Sequence, residues 1–180
     1  IGIIKILNMM GAKIKFINIK TLNGERCSDI EVKSIKNLKS INCPTTLNSA
    51  AIDEFLIIFL VAAKARGISY FRNLSELNQK ESPRLKLAAK ILKKMGVKLS
   101  YNYDSIKIYG NPNLKLTKKI VVKDFLKDHR VFMMSVISAL SFGGEWKIFD
   151  PISVKTSFPS FFKKIKEVGG IIKWSRKKLK

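Results

Sequence analysis

Cysteine, histidine and acid are scarce in this sequence. It has two cysteines, one histidine and thirteen Asp plus Glu among 180 residues. Cys27 and Cys43 are too far apart for a Cys-x-x-Cys motif, and His129 alone cannot complete a zinc cluster with them. No disulfide framework is expected, so a reducing, cytoplasmic setting follows, with no metal and no cofactor implied by these residues. Long hydrophobic runs are missing too. The longest, 55–63, lies between Asp53-Glu54 and Lys64-Ala65-Arg66. It is far short of the roughly 20 apolar residues of a membrane span. The first residues lack a basic region and a small-residue cleavage site, so no signal peptide is read. They also lack an initiator Met and open on Ile1-Gly2-Ile3-Ile4, like the interior of an element. A piece of a longer protein is the expectation.

Apolar residues and positive charge are plentiful. Hydrophobic residues make up 46% of the chain, enough for a core, and the net charge is +22. Such charge suits an anionic partner such as nucleic acid, an anionic membrane or a phosphorylated substrate. A Lys-, Ile- and Asn-rich composition accounts for it equally well without any partner. Against a nucleic-acid module, the lysines are spread along every segment, arginine is sparse, and no Gly-x-x-Gly loop or RNP signature is present.

The chain repeats itself. A helix-like stretch ending at Met-Gly and running straight into a strand appears at 6–16 and again at 91–99. A weaker copy lies at 164–172, where Gly169-Gly170 precede Ile171-Ile172. Glycine after the last helical residue suits a left-handed C-cap. A second pattern is an apolar helix, then glycine, then a strand. It runs over 55–71 and returns over 131–149. Residues 53–110 read as one copy of a larger unit, 128–174 as most of another, and 1–36 as the tail of a third.

Two kinds of helix are expected. In 88–94, Ala88, Ile91 and Leu92 share one face and Lys90, Lys93 and Lys94 the other, as on a surface helix. The helices expected at 55–65 and 131–142 have no polar face. They are expected side by side in the core with strands outside them. Strands are expected at 13–19, at 97–103 paired with 105–109, and around 114–122. A turn is expected at Gly24 and Cys27-Ser28-Asp29, leading into a strand at 30–32.

Polar clusters stand at the helix entrances. Asp53-Glu54 opens the first apolar helix. It reads as a helix-start acid or as a carboxylate whose pKa is tuned for proton transfer. In Asn78-Gln79-Lys80-Glu81-Ser82-Pro83-Arg84, Ser82 reads as an N-cap and Pro83 as the first helical residue. Nearby Lys and Arg also suit an anion there. Asp128-His129-Arg130 opens the second apolar helix, where an arginine cannot shed its charge and needs a partner. Asp53 and Asp128 hold matching places in two repeats, which suggests one shared cleft.

Ile52-Asp53-Glu54, Lys80-Glu81-Ser82-Pro83-Arg84, Asp128-His129-Arg130 and Ser157-Phe158-Pro159-Ser160-Phe161-Phe162 occur in the order and approximate spacing of the enolpyruvyl transferases. Within them the chain most resembles the EPSP synthase family. That resemblance implies an inside-out α/β domain of βαβαββ modules, with buried helices and outer sheets. It implies that 1–180 is most of a C-terminal domain whose first module is incomplete, with the N-terminal domain absent. It implies transfer of the enolpyruvyl group of phosphoenolpyruvate to the 5-hydroxyl of shikimate 3-phosphate, with no metal or cofactor. The related transfer to UDP-N-acetylglucosamine and a basic nucleic-acid module are the alternatives.

Carried over by motif, Asp53 and Glu81 are the proton-transfer acids. Asp53 and Lys80 meet shikimate 3-phosphate, and Arg84, Arg130 and His129 meet phosphoenolpyruvate. The partners implied are those two substrates and the N-terminal domain, with no membrane and no nucleic acid. The family commonly has Arg at Asn78 and Asp at Pro83, and some members have Lys at Thr156, which here follows Lys155.

Overall fold

The computed structural model describes residues 2–174. Helix α1 (Gly2–Met9) leads into a hairpin of β1 (Lys13–Leu22) and β2 (Glu25–Lys33). Helices α2 (Asn48–Ala51) and α3 (Phe55–Lys64), strand β3 (Gly67–Phe71), helix α4 (Arg84–Lys94), and strands β4 (Lys98–Tyr101) and β5 (Ile106–Gly110) follow. Then come β6 (Leu116–Val122), α5 (His129–Phe142), β7 (Gly143–Ile148) and α6 (Phe161–Glu167).

The repeat is real, but its unit starts earlier than the helix. Lys39 and Asn42 form parallel bridges to Arg66 and Tyr70, so a short extended segment precedes α2 and α3 and flanks β3. The middle module is therefore strand, helix, β3, α4, β4, β5, and its sheet runs β3-β5-β4. The next module opens with β6, which pairs in parallel with β7 across the α5 crossover. Bridges this short carry no alternation of polar and apolar residues, so no strand is expected over 39–42 from the sequence.

Glycine ends three helices with one hydrogen-bond scheme. Ala12, Val97 and Gly170 each donate their amide to the carbonyl five residues back, at 2.9, 3.0 and 2.8 Å. The preceding glycines, Gly11, Gly96 and Gly169, have φ of +91°, +85° and +88°. This is the left-handed cap that a side chain disfavours. After Gly170 the structure has no strand over 171–174, unlike the expectation at Ile171-Ile172. Among the described residues no partner strand lies beside it. The turn of the first hairpin is Asn23-Gly24, and Cys27-Ser28-Asp29 belong to β2. Their backbones pair across to β1, with Asp29 opposite Ile17 and Cys27 opposite Lys20.

Helices α3 and α5 pack on each other and on α4, with sheets outside them. In α3, Phe55 and Phe59 meet Phe71 of β3 at ring-centroid distances of 5.9 and 5.3 Å. Such aromatic pairs add about 0.5–1.5 kcal/mol each beyond burial. Burial is not complete all round. Ile57 and Val61 on α3, and Met133, Val136 and Ile137 on α5, are half-buried, and Leu140 is exposed. The sheets alternate as one-sided layers should. In β5, Ile106 and Ile108 point inward and are buried while Lys107 between them is exposed. Gly110 ends β5 against α3, where a Cβ would lie 2.1 Å from the Ala65 carbonyl oxygen. No helix among the described residues is long and apolar enough to cross a membrane.

Candidate functional site

Three connections converge where α3, α4 and α5 begin. Asp53 sits in the turn between α2 and α3, Glu81 and Ser82 in the loop before α4, and Asp128 directly before α5. The residue between them is Arg84, the first of α4. Its side chain is only 2% exposed, and all three of its nitrogens are engaged. Nε donates to Asp128 Oδ2 at 3.0 Å and Nη1 to Asp53 Oδ1 at 3.1 Å, and Nη2 donates to Glu81 Oε2.

Arg130, in the first turn of α5, reaches the same carboxylate. Its Nη2 lies 3.1 Å from Asp53 Oδ2, and its Nη1 donates to the Asp53 carbonyl oxygen at 2.9 Å. Asp53 thus bridges two guanidiniums that come from different modules. Two cations face three carboxylates here, Asp53, Glu81 and Asp128. The Asp53 carboxylate lies between the two guanidiniums.

Lys80 does not join this cluster. Its ammonium pairs with Glu76 at 2.6 Å, one helical turn back. His129 is the first residue of α5, half-buried beside Arg130. Asp53 does not cap α3, because Glu54 is the N-cap residue and its side chain makes no capping bond. Ser82 does not cap α4 either. Pro83 occupies that place, and the Ser82 hydroxyl donates instead to Asp128 Oδ2 at 2.7 Å. The hydroxyl hydrogen goes to a charged acceptor, which makes a stronger bond than a neutral one.

Asp128 is the true capping acid. Its Oδ1 accepts from the amides of Arg130 and Val131 at 2.8 and 3.2 Å. Burial alone would raise its carboxyl pKa. The Ser82 hydroxyl, the Arg84 guanidinium and the Val131 amide outweigh that and hold it below the ordinary carboxylate range.

Asn78, where an anion-binding cation was in question, is a structural tie. Its Nδ2 donates to the Tyr103 carbonyl at 2.7 Å, anchoring the loop on the β4–β5 connection. The aromatic run after Ser157 is structural too. Phe161 and Phe162 stack edge-on against Phe132 of α5 at 6.5 and 5.9 Å, which fixes α6. Lys155 and Thr156 lie exposed just before it. Among the described residues no cluster of His, Cys, Asp and Glu has the makings of a metal site.

A model of the EPSP synthase (3-phosphoshikimate 1-carboxyvinyltransferase) family matches residues 1–165. The chain belongs to the EPSP synthase family. The 3-phosphoshikimate 1-carboxyvinyltransferase of Ruthia magnifica subsp. Calyptogena magnifica is 37% identical over 169 residues, which are 94% of this chain and 38% of that protein. Its counterpart in Thermodesulfovibrio yellowstonii is 38% identical over 161 residues, 89% of this chain and 36% of that protein. A solved structure of EPSP synthase from Acinetobacter baumannii superposes with a TM-score of 0.88 at 32% identity, covering 97% of this chain and 40% of that one. The enolpyruvyl transferase NikO from Streptomyces tendae, at 13% identity and a TM-score of 0.69, shares the fold. The chain spans about two-fifths of the length of the EPSP synthase relatives it matches. Membership in this family also accounts for the modules with inner helices and outer sheets.

Two residues of the cluster were not among the site residues expected from the sequence: Ser82, which read as an N-cap, and Asp128, which read as the counterpart of Asp53. Both stand inside motifs that resemble the family's, and Asp128 matches Asp53 in its place in the repeat. Nothing in the sequence brings Ser82, 46 residues away, to the Asp128 side chain.

Proposed function

We propose that this chain forms the phosphoenolpyruvate-facing part of an enolpyruvyl transferase that acts on shikimate 3-phosphate. The supporting observation is the joint placement of Asp53, Glu81, Arg84 and Arg130 at the mouths of three helices. Two fixed cations beside two partly exposed acids suit a reaction that holds a polyanion and moves protons. In the reaction proposed, the 5-hydroxyl of shikimate 3-phosphate loses its proton and bonds to carbon 2 of phosphoenolpyruvate, while carbon 3 gains a proton. The tetrahedral adduct then loses a carbon-3 proton and expels phosphate, restoring the double bond. Asp53 handles the hydroxyl proton and Glu81 the methyl proton. Arg84 and Arg130, with His129 beside them, hold the carboxylate and phosphate. Lys80 turns from Glu76 toward shikimate 3-phosphate when that ligand is present.

We read the 180 residues as one C-terminal domain with an incomplete first module, working with an N-terminal domain such as the longer relatives have room for. A two-domain enzyme closes around its substrates and excludes water, so this chain alone turns over negligibly. The test pairs this chain with the N-terminal part of a full-length relative, in cis or as a separate chain, and measures phosphate release. Turnover with shikimate 3-phosphate supports the reading. In the active assembly, Glu81→Gln lowers the rate about 10²–10⁴-fold, the usual worth of one acid–base group. Turnover with UDP-N-acetylglucosamine instead moves the acceptor. Tight nucleic-acid binding with no response to either substrate overturns the reading.

A further inference from the structure

Asp128 has no place in the chemistry above, yet no acid of the cluster is more deeply held. Its side chain is fully buried. One oxygen closes the first turn of α5 through the Arg130 and Val131 amides. The other receives the Ser82 hydroxyl and Arg84 Nε. Capping a helix needs only one acceptor oxygen, and a serine or asparagine supplies it. The second oxygen faces two polar partners from the middle module, both buried.

We propose that Asp128 is a positioning residue, braced by Ser82, that sets Arg84 and Arg130 at a fixed distance and orientation so that the pair binds one anionic ligand. The inference rests on the reading of those arginines as the phosphoenolpyruvate cations. An arginine side chain has several rotatable bonds and keeps its charge, so its direction must come from its partners. Gripping Nε turns the Nη1 and Nη2 edge toward the rim, where Asp53 and Glu81 meet it. The same carboxylate holds the Arg130 amide, and with it the start of the helix that carries the second cation. A carboxylate is required because Arg84 Nε only donates. An asparagine that keeps the cap through its oxygen presents an amide N–H to that donor.

The test uses the ¹⁵N-labelled chain, with phosphoenolpyruvate as the probe and the Arg84 Nε–H resonance as the ligand-free report. Asp128→Asn is expected to shift that resonance and speed its exchange with water. It is also expected to weaken phosphoenolpyruvate binding by the folded protein at least about tenfold, the scale of a lost charge-assisted hydrogen bond. Ser82→Ala is expected to weaken binding about threefold, and Ser82→Thr to restore it. A purely structural Asp128 lowers the melting temperature but leaves folded-state affinity within a factor of about two and the Arg84 resonance in place. That result overturns the proposal. If Asp128→Asn does not fold, Ser82→Ala decides alone, and an unmoved resonance with unchanged affinity rejects the idea. A wild-type chain that binds no phosphoenolpyruvate, with the Arg84 resonance still protected, fails the functional reading instead and leaves nothing to position.

Discussion

Two hairpins of like pattern have opposite surroundings. In β4–β5, Leu99 faces Ile108 and Tyr101 faces Ile106 across the strands, and both isoleucines are fully buried. In β1–β2, Ile14 faces Val32 and Phe16 faces Ile30, yet Phe16, Ile30 and Val32 are 39%, 54% and 67% exposed. The first pair of strands lies over α3 and α4. The second has α1, the counterpart of α4, but no counterpart of α3 among the described residues. Apolar alternation therefore marks which face of a hairpin is meant to be covered, and only a helix under that face covers it. The middle module differs from the first in its other boundary too. On the α5 side it is locked by the buried Ser82–Asp128–Arg84 network.

The sharpest way to break this contrast is at the lock. Asp128→Ala leaves Arg84 buried without its Nε partner, and is expected to cost about 3–5 kcal/mol in urea denaturation. A loss below about 1 kcal/mol would mean that the modules hold together without it. Next in size is the covered hairpin. Ile108→Ala removes a fully buried side chain and is expected to cost about 2–5 kcal/mol. Acid sharpens the contrast further. The folded Asp128 carboxyl lies below its ordinary value, so its stabilisation is complete above about pH 4, the unfolded carboxylate range. It is lost as pH falls through the folded value. Asp128→Asn should flatten that part of the stability-versus-pH curve.

Smaller effects belong to the uncovered hairpin. Its amides should exchange with solvent through low-energy local opening while those of β5 exchange near the global limit, as hydrogen exchange measures directly. Val32→Thr should change stability by no more than about 0.5 kcal/mol. A larger loss would show that the face is covered in solution.

Helix character, core faces and three caps were legible because each is a local property. The 3.6-residue period of 88–94 and the unbroken apolarity of 55–63 follow from neighbours in sequence. The module's opening segment at 39–42 was not legible, since it is held by two bridges to β3 and by little of its own composition. The motif resemblance named Asp53, Glu81, Arg84 and Arg130 together, and the structure joins them by ion pairs. It also named Lys80, whose side chain found Glu76 closer, one turn away on the same loop.

By itself the sequence determined the repeats, the two helix classes and the motifs that belong to an EPSP synthase relative. Period, glycine placement and residue type are carried by short stretches of chain. Only the tertiary structure decided that Ser82 serves Asp128 and not the α4 terminus, that Arg84 is buried with every nitrogen occupied, and that Asp53 bridges arginines 31 and 77 residues away. The physical reason is reach. A buried hydroxyl or guanidinium must find acceptors within about 3 Å, and which acceptors lie that close depends on how α3, α4 and α5 pack.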